Sequence, residues 1–265
     1  MRTALLADIH SNLEALQACL AHARREGAGR FVFLGDLVGY GADPVACLDI
    51  IAGLAEQGAP VVQGNHDAAC LGGILPDMSY TARDAIYWTR DQLGARERAF
   101  LAGLPLAVAE EDRLYVHASA EQPETWPYIT GTLDAARALA ATTARIVLVG
   151  HVHEPLLYFT TPGGNPRAFR PVPGVPLPLS EFRRWLGIVG SAGQPRAVPR
   201  LARLRVAERV QPLVGRVHLR RDPGAFRAQR RIGTAGHHLA ERTVHREGEA
   251  PVTQRLAQAA RDLEF

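Results

Sequence analysis

The chain has 265 residues, of which 47% are hydrophobic and 22% charged, and its formal net charge is +3. This length suffices for one large globular domain or two small ones. The sequence contains no long uncharged apolar stretch that would span a membrane, and its start lacks the apolar segment of a signal peptide. We therefore expect a cytoplasmic protein without a membrane partner. All 30 basic residues are Arg, and this modest positive balance does not by itself indicate a nucleic-acid partner.

The first 70 residues alternate between strand and helix patterns. Short apolar runs at 4–7, 31–34 and 60–62 are typical of buried parallel strands. Between them, Asn12 precedes one run with helical spacing, and Asp43-Pro44 begins another. This β-α-β-α-β order predicts a parallel sheet with right-handed crossovers.

The next part of the chain predicts a long amphipathic helix over 79–102 and two short strands around 104–117. Residues 119–130 contain two prolines and no period, which predicts a loop over a site mouth. A helix over 132–141 and a strand over 146–149 follow. Beyond these, short runs split by Pro and Gly, at 156–160, 168–172, 185–189 and 202–206, suit an antiparallel second sheet.

Metal-binding residue types cluster directly after five of the apolar runs. The clusters are Asp8-Ile9-His10, Gly35-Asp36, Gly64-Asn65-His66-Asp67, His117 and Gly150-His151-Val152-His153. Because loops at the carboxyl ends of parallel strands line one crevice, clusters that are distant in sequence are expected to converge. Oxygen and imidazole donors without thiolates suit Mn, Fe, Ni or Zn.

The order and wording of these clusters resemble the motif series of the calcineurin-like metallophosphoesterase superfamily. The segments around Asp8, Asp36 and Asn65, together with Gly190-Ser191-Ala192-Gly193-Gln194-Pro195-Arg196, resemble its small bacterial phosphodiesterase branch. The resemblance covers residues 1–196. It implies an α/β fold, a four-layer α/β/β/α sandwich of two mixed β-sheets flanked by helices. We expect a catalytic core over 1–206 and an Arg-rich extension over 207–265 packed on that core.

The resemblance also implies two divalent metal ions that share one carboxylate, Asp36, beside which Gly35 leaves room for a close backbone approach. The first ion would be held by Asp8, His10, Asp36 and His153, and the second by Asp36, Asn65, His117 and His151. By resemblance, a hydroxide bridging the ions attacks the phosphorus, and His66 assists the leaving group.

Further residues are assigned roles around this centre. Asp67 is expected to orient His66 or a metal ligand. In some relatives an acidic residue three positions after the bridging Asp holds this His, but that position is Gly39 here, so the sequence does not identify the orienter of His66. Tyr40 and Arg196 are candidates for substrate binding. The aromatic residues Trp126, Tyr128 and Trp185 are assigned to packing rather than to substrate stacking.

The predicted function is hydrolysis of phosphodiester bonds in a small phosphate-ester substrate. A phosphomonoesterase and a dinucleoside-polyphosphate hydrolase are the alternatives within enzymes. A non-catalytic metal-binding scaffold is the alternative from another class, although such relatives lose ligands or the His that here is His66. The oligomeric state stays open.

Overall fold

The computed structural model describes residues 2–72, 78–161, 164–195 and 205–207. The described helices are α1 (Leu13–Arg25), α2 (Pro44–Glu56), α3 (Asn65–Leu71), α4 (Tyr80–Gln92), α5 (Ala95–Ala102) and α6 (Thr132–Ala140), with a 3-10 turn at Pro123–Thr125. The strands are β1 (Arg2–Leu6), β2 (Ala28–Phe33), β3 (Ala107–Glu110), β4 (Arg113–Val116), β5 (Ile146–Val149), β6 (Leu156–Thr161), β7 (Gly164–Phe169), β8 (Pro176–Pro178), β9 (Trp185–Ile188) and β10 (Arg205–Ala207). No helix within these ranges has both the length and the apolar character needed to cross a bilayer.

The strands form two main sheets. β1 and β2 pair in parallel, and Val61 adds one parallel bridge to Phe33. The larger sheet has six strands in the order β3-β4-β5-β9-β6-β7. Within it, β4, β5 and β9 are parallel neighbours, whereas β3, β6 and β7 pair antiparallel. β8 and β10 form a separate parallel pair.

Side-chain alternation along the strands divides the core into three layers of contact. Ala4 and Leu6 of β1 pack against the helices α1 to α5, while Leu5 between them faces the six-stranded sheet. In the same way, Leu148 of β5 faces the small sheet and Val147 faces α6. Both sheets are therefore buried on both faces, as the period of two in a strand requires. The predicted four-layer α/β/β/α sandwich is confirmed.

The division of strands between the sheets differs from the prediction. The antiparallel strands after His153 do not form a sheet of their own, because β9 inserts between β5 and β6 and joins both. The strands that precede His117 and His151 therefore belong to the six-stranded sheet, while those that precede Asp8 and Asp36 belong to the small one. The run at 60–62 contributes one bridge rather than a full strand.

The helix predictions hold with one exception. Asn12 accepts a hydrogen bond from the Ala15 N–H and caps α1, whereas Asp43 begins α2 without a side-chain cap. The single helix predicted over 79–102 is two helices. It breaks at Leu93 and Gly94, where the Gly94 N–H donates to Glu97 and starts α5 afresh. The extension over 207–265 lies beyond the described residues apart from Ala207, so the predicted boundary stays a prediction.

Candidate metal centre

The five sequence clusters meet where the carboxyl ends of strands from the two sheets come together. Asp8 follows β1, Asp36 follows β2, His117 follows β4 and His151 follows β5, while Asn65 begins α3. The donor atoms form two groups, and within each group all of them lie within 4.8 Å of one another. One group is Asp8, His10, Asp36 and His153, and the other is Asp36, His117 and His151. All of these side chains are buried. Six of the seven predicted ligands thus lie together in two groups that share Asp36. The seventh, Asn65, lies beside the second group, with its Oδ1 3.1 Å from Nε2 of His117.

Unusual backbone conformations create this convergence. Five of the predicted ligands adopt a left-handed φ that non-glycine residues seldom occupy: Asp8 (54°), His10 (49°), Asp36 (53°), His151 (63°) and His153 (64°). Such conformations cost about 1–3 kcal/mol each and persist only where surrounding contacts enforce them. They turn the chain sharply after its strand, so that the side chains point into one space. An Asp or His that follows a strand does not by itself indicate a left-handed conformation, so this strain could not be predicted.

Glycine allows the loops to approach closely. A Cβ at Gly35 would lie 2.7 Å from Nδ1 of His117, and φ at Gly35 is +82°. A Cβ at Gly64 would lie 2.2 Å from the backbone nitrogen of Asp36. The expectation that Gly35 makes room for a close backbone approach beside Asp36 is therefore met. Gly64 allows a similar close approach from the other loop.

Backbone hydrogen bonds join the loops around Asp8 and Asp36. The His10 N–H donates to the Asp36 carbonyl at 3.0 Å, and the His151 N–H donates to both carboxylate oxygens of Asp8 at 3.1 Å. The hydroxyl of Ser191 donates to the Asp8 carbonyl at 2.9 Å. The segment after β9, which contains Ser191, therefore helps to hold the Asp8 loop in place. The sequence of that segment did not indicate this contact.

The Asp36 carboxylate points one oxygen at each donor group. Oδ1 accepts the His66 N–H at 2.9 Å and lies 3.4 Å from Nε2 of His117. Oδ2 lies 3.7 Å from Nε2 of His10. This orientation suits a carboxylate that bridges two cations.

The charge balance of the free protein also favours a cation. Burial would raise the pKa of Asp36, but His117, His66 and His10 outweigh it and hold that pKa well below its usual range. Burial would lower the pKa of His117, but the Asp36 carboxylate outweighs it and raises that pKa to about 9. Burial, and then His117, lower the pKa of His151 to about 3. The site thus stabilises positive charge at His117, while His151 stays neutral and able to bind metal.

The imidazole arrangement provides a separate test of fit to a metal. Nε2 of His10 lies 3.1 Å from Nε2 of His153, although Nδ1 of each ring already faces a backbone carbonyl. With Nδ1 as the donor, the two facing Nε2 atoms are both lone pairs, and such a contact is repulsive unless a cation lies between them. The donor set of imidazole, carboxylate and amide oxygen fits a divalent first-row metal.

His66 lies beside this centre rather than within the two donor groups. Its ring is 4.7 Å from the rings of both His10 and Tyr40. Its buried Nδ1 has no hydrogen-bond partner within the described part of the chain and abuts Gly39, where a Cβ would lie only 2.5 Å away. Gly39 therefore leaves the space that the His66 ring fills.

The Asp67 carboxylate makes its hydrogen bonds to backbone N–H groups of the loops around the centre. Its Oδ1 accepts the N–H groups of Leu37 and Val38, at 2.9 and 3.2 Å, and its Oδ2 accepts the Gly64 N–H at 2.9 Å. The side chain is fully buried. Asp67 therefore connects the loop after β2, which carries Asp36, to the start of α3, which carries Asn65, and these contacts are compatible with the expectation that it positions a metal ligand.

The predicted substrate-binding residues and the aromatic residues lie in different places relative to the centre. Tyr40 is half-buried with its ring 4.9 Å from that of His10, so it lines the centre. Trp185 packs between the sheets, as predicted. Tyr128 stacks on His151 at 3.9 Å, a contact that its loop sequence did not indicate. Arg196 lies outside the described residues.

Comparison with known proteins identifies the family. The model of the calcineurin-like phosphoesterase superfamily domain matches residues 1–175. A protein of Methanocaldococcus jannaschii is 33% identical over 199 residues, which are 73% of this chain and 76% of the relative. The chain belongs to the calcineurin-like phosphoesterase superfamily.

Solved structures agree with this membership. The crystal structure of a metallophosphoesterase from Sphaerobacter thermophilus is 34% identical, with a TM-score of 0.62 over 73% of this chain and 78% of that one. A hypothetical protein from Pyrococcus horikoshii OT3 shares the fold at 20% identity, with a TM-score of 0.59 over 76% and 81% of the two chains. Metal-dependent hydrolysis of phosphate esters is the chemistry that membership in the calcineurin-like phosphoesterase superfamily supports.

Proposed function

We propose that this protein is a dinuclear metal-dependent phosphoesterase that hydrolyses phosphodiester bonds. The observation that carries the proposal is the placement of Asp36, whose two carboxylate oxygens face two different donor groups. Asp8, His10 and His153 would complete the first ion site, and Asn65, His117 and His151 the second. Bound divalent ions would clamp the phosphate oxygens and lower the pKa of an attacking water.

His66 supplies the group that such hydrolysis needs on the leaving side. Burial lowers the pKa of its imidazole, so the ring of the free protein is neutral at physiological pH and keeps one N–H. Nδ1 is enclosed against Gly39, so the opposite edge of the ring is the one available to donate a hydrogen bond or a proton to a leaving oxygen.

The choice of a diester over a monoester rests on the sequence. The loops around Asp8, Asp36 and Asn65, together with residues 190–196, resemble the small bacterial phosphodiesterase branch. Near neutral pH a diester carries one negative charge, whereas a monoester carries about −1.5 to −2, so a comparison of the two substrates also compares two charges.

The test combines metal analysis with turnover. Metal content is measured by plasma mass spectrometry. Hydrolysis of bis-p-nitrophenyl phosphate, p-nitrophenyl phosphate and a dinucleoside polyphosphate is then compared with added Mn. We expect two ions per chain and the highest kcat/KM on the diester. Higher kcat/KM on the monoester or the polyphosphate would select that alternative, and a metal-loaded protein that hydrolyses none of the three would support the scaffold.

A further inference from the structure

Three of the four imidazoles in the donor groups are held in place by backbone carbonyls. In each, Nδ1 faces a carbonyl oxygen: His10 faces Val38 at 3.2 Å, His117 faces Leu34 at 2.7 Å and His153 faces Gln194 at 2.8 Å. A hydrogen bond of this kind fixes the tautomer and the ring orientation of a metal ligand, and leaves the Nε2 lone pair directed at the ion.

His151 lacks this support. Its ring is reversed relative to the other three, since it is Nδ1 that faces the centre, 3.2 Å from Nε2 of His117. Its Nε2 is buried and has no hydrogen-bond partner among the described residues. No carbonyl or carboxylate of the described chain therefore fixes the rotation of this ring.

The aromatic ring of Tyr128 stacks on the His151 ring instead. The phenol ring of Tyr128 is stacked on the imidazole, with centroids 3.9 Å apart and an interplanar angle of 29°. Stacking on a ring face resists rotation of the imidazole about its bond to Cβ, since rotation would break the face-to-face contact. Stacking can thus replace the orienting function of the missing hydrogen bond.

The loop around Tyr128 is built to hold this position. Trp126, two residues earlier, is buried with its ring 5.8 Å from that of His117, and Ile129 on the other side is also buried. Tyr128 itself is 50% exposed. Burial of its own apolar surface therefore explains its placement less well than the contact it makes.

We propose that Tyr128 is a positioning residue for His151, orienting the imidazole for the second metal ion. This inference rests on the proposed function to the extent that His151 is taken as a ligand. The stacking is a contact between the two rings, so we expect an aromatic ring at position 128 to suffice for this role.

The experiment measures metal binding rather than turnover. Metal-free Tyr128→Ala, Tyr128→Phe and wild-type proteins are titrated with Mn by equilibrium dialysis, and bound metal is counted by mass spectrometry. Tyr128→Ala should weaken binding of one of two ions by about threefold to tenfold, the range expected for one aromatic contact, and leave the other unchanged. Tyr128→Phe should match the wild type.

Tyr87→Ala serves as the matched control. Tyr87 is 53% exposed on α4, so its loss removes a similar amount of surface from a different element. Its two metal affinities should equal those of the wild type. Melting temperatures of all the metal-free variants check that any loss of metal is not a loss of fold.

Several results would overturn the inference. Unchanged affinities in Tyr128→Ala would show that His151 needs no aromatic support. A loss in Tyr128→Phe equal to that in Tyr128→Ala would assign the effect to the hydroxyl, and an equal weakening of both ions would argue for a general loosening of the loop. A wild type that binds two ions but hydrolyses no ester would remove the proposed function and leave this inference intact, whereas a wild type that binds none would remove both.

Discussion

Replacement of Asp67 tests whether this carboxylate serves the structure of the loops rather than the chemistry. Its two oxygens accept three backbone N–H groups, from Leu37, Val38 and Gly64, and these link the loop that carries Asp36 to the start of α3. No solvent reaches the side chain. Any variant that removes an acceptor therefore leaves a buried donor without a partner.

The size of the loss follows from the number of donors left unpaired. Leaving a buried donor unsatisfied costs about 1–3 kcal/mol. Asp67→Ala leaves three buried N–H groups without an acceptor, so we expect the free energy of unfolding to fall by about 3 kcal/mol or more. Asp67→Asn keeps one oxygen to accept the N–H groups of Leu37 and Val38 and leaves only the Gly64 N–H unpaired. The expected loss in the free energy of unfolding is therefore about 1–3 kcal/mol. Burial and then Asp36 raise the pKa of Asp67 to about 7, which means that a negative charge at this position is unfavourable. Asp67→Asn removes that charge, so we expect its loss of stability to lie near the lower end of the range of about 1–3 kcal/mol.

The assay is urea unfolding of the metal-free variants, followed by metal analysis and turnover of the same preparations. Asp43→Asn is the control, because Asp43 precedes α2 without a side-chain cap and should change stability by less than about 0.5 kcal/mol. Stability should fall in the order wild type, Asp67→Asn, Asp67→Ala, and metal content should fall with it. If Asp67→Asn kept full stability and both ions but lost turnover, the predicted catalytic role would be restored and our reading of its contacts would be wrong.

Three further substitutions test the other groups of the centre. Asp36→Asn should lower metal content and activity together, and a variant that kept two ions and normal turnover would exclude Asp36 as the shared ligand. His66→Ala should keep both ions and lose rate by about 10²–10⁴-fold on a diester with an alkyl leaving group, but less with p-nitrophenolate, which needs little protonation. Equal losses on the two substrates would argue for positioning instead. Gly39→Ala should keep both ions yet lose turnover, since its Cβ would lie 2.5 Å from His66 Nδ1 at a φ of +88°. Gly53→Ala, inside α2 with nothing within 4 Å, is its control and should be stabilising by about 1 kcal/mol.

Local sequence signals predicted the elements well where they carried a distinct physical cause. Asn12 marks the start of α1 because its side chain satisfies a free N–H, and Pro44 marks α2 because its fixed φ suits a first turn. The helix break at Gly94 is hard to predict because the helical period continues past it, although a Glu three residues after the break, Glu97, is typical of a helix start.

Strand partners were harder to predict than strands. The run at 185–189 has the same short apolar character as its neighbours, and nothing within it reveals that it pairs in parallel with β5 while also pairing antiparallel with β6. Pairing is decided by contacts between segments far apart in sequence, about which a single sequence carries little information.

The residues that gather at the centre could be predicted, but the contacts that support them could not, and the reason is chemical. A metal ligand must be a particular residue type, so Asp36 or His153 leaves a trace in the sequence. The groups that orient ligands are mostly backbone carbonyls, such as those of Leu34 and Gln194, which any residue provides. Where the backbone provides no such group, a side chain can take that place, and Tyr128 stacked on His151 is the candidate here. An aromatic residue in a proline-framed loop has many uses, so its role becomes apparent only when the fold shows which imidazole lacks a hydrogen bond.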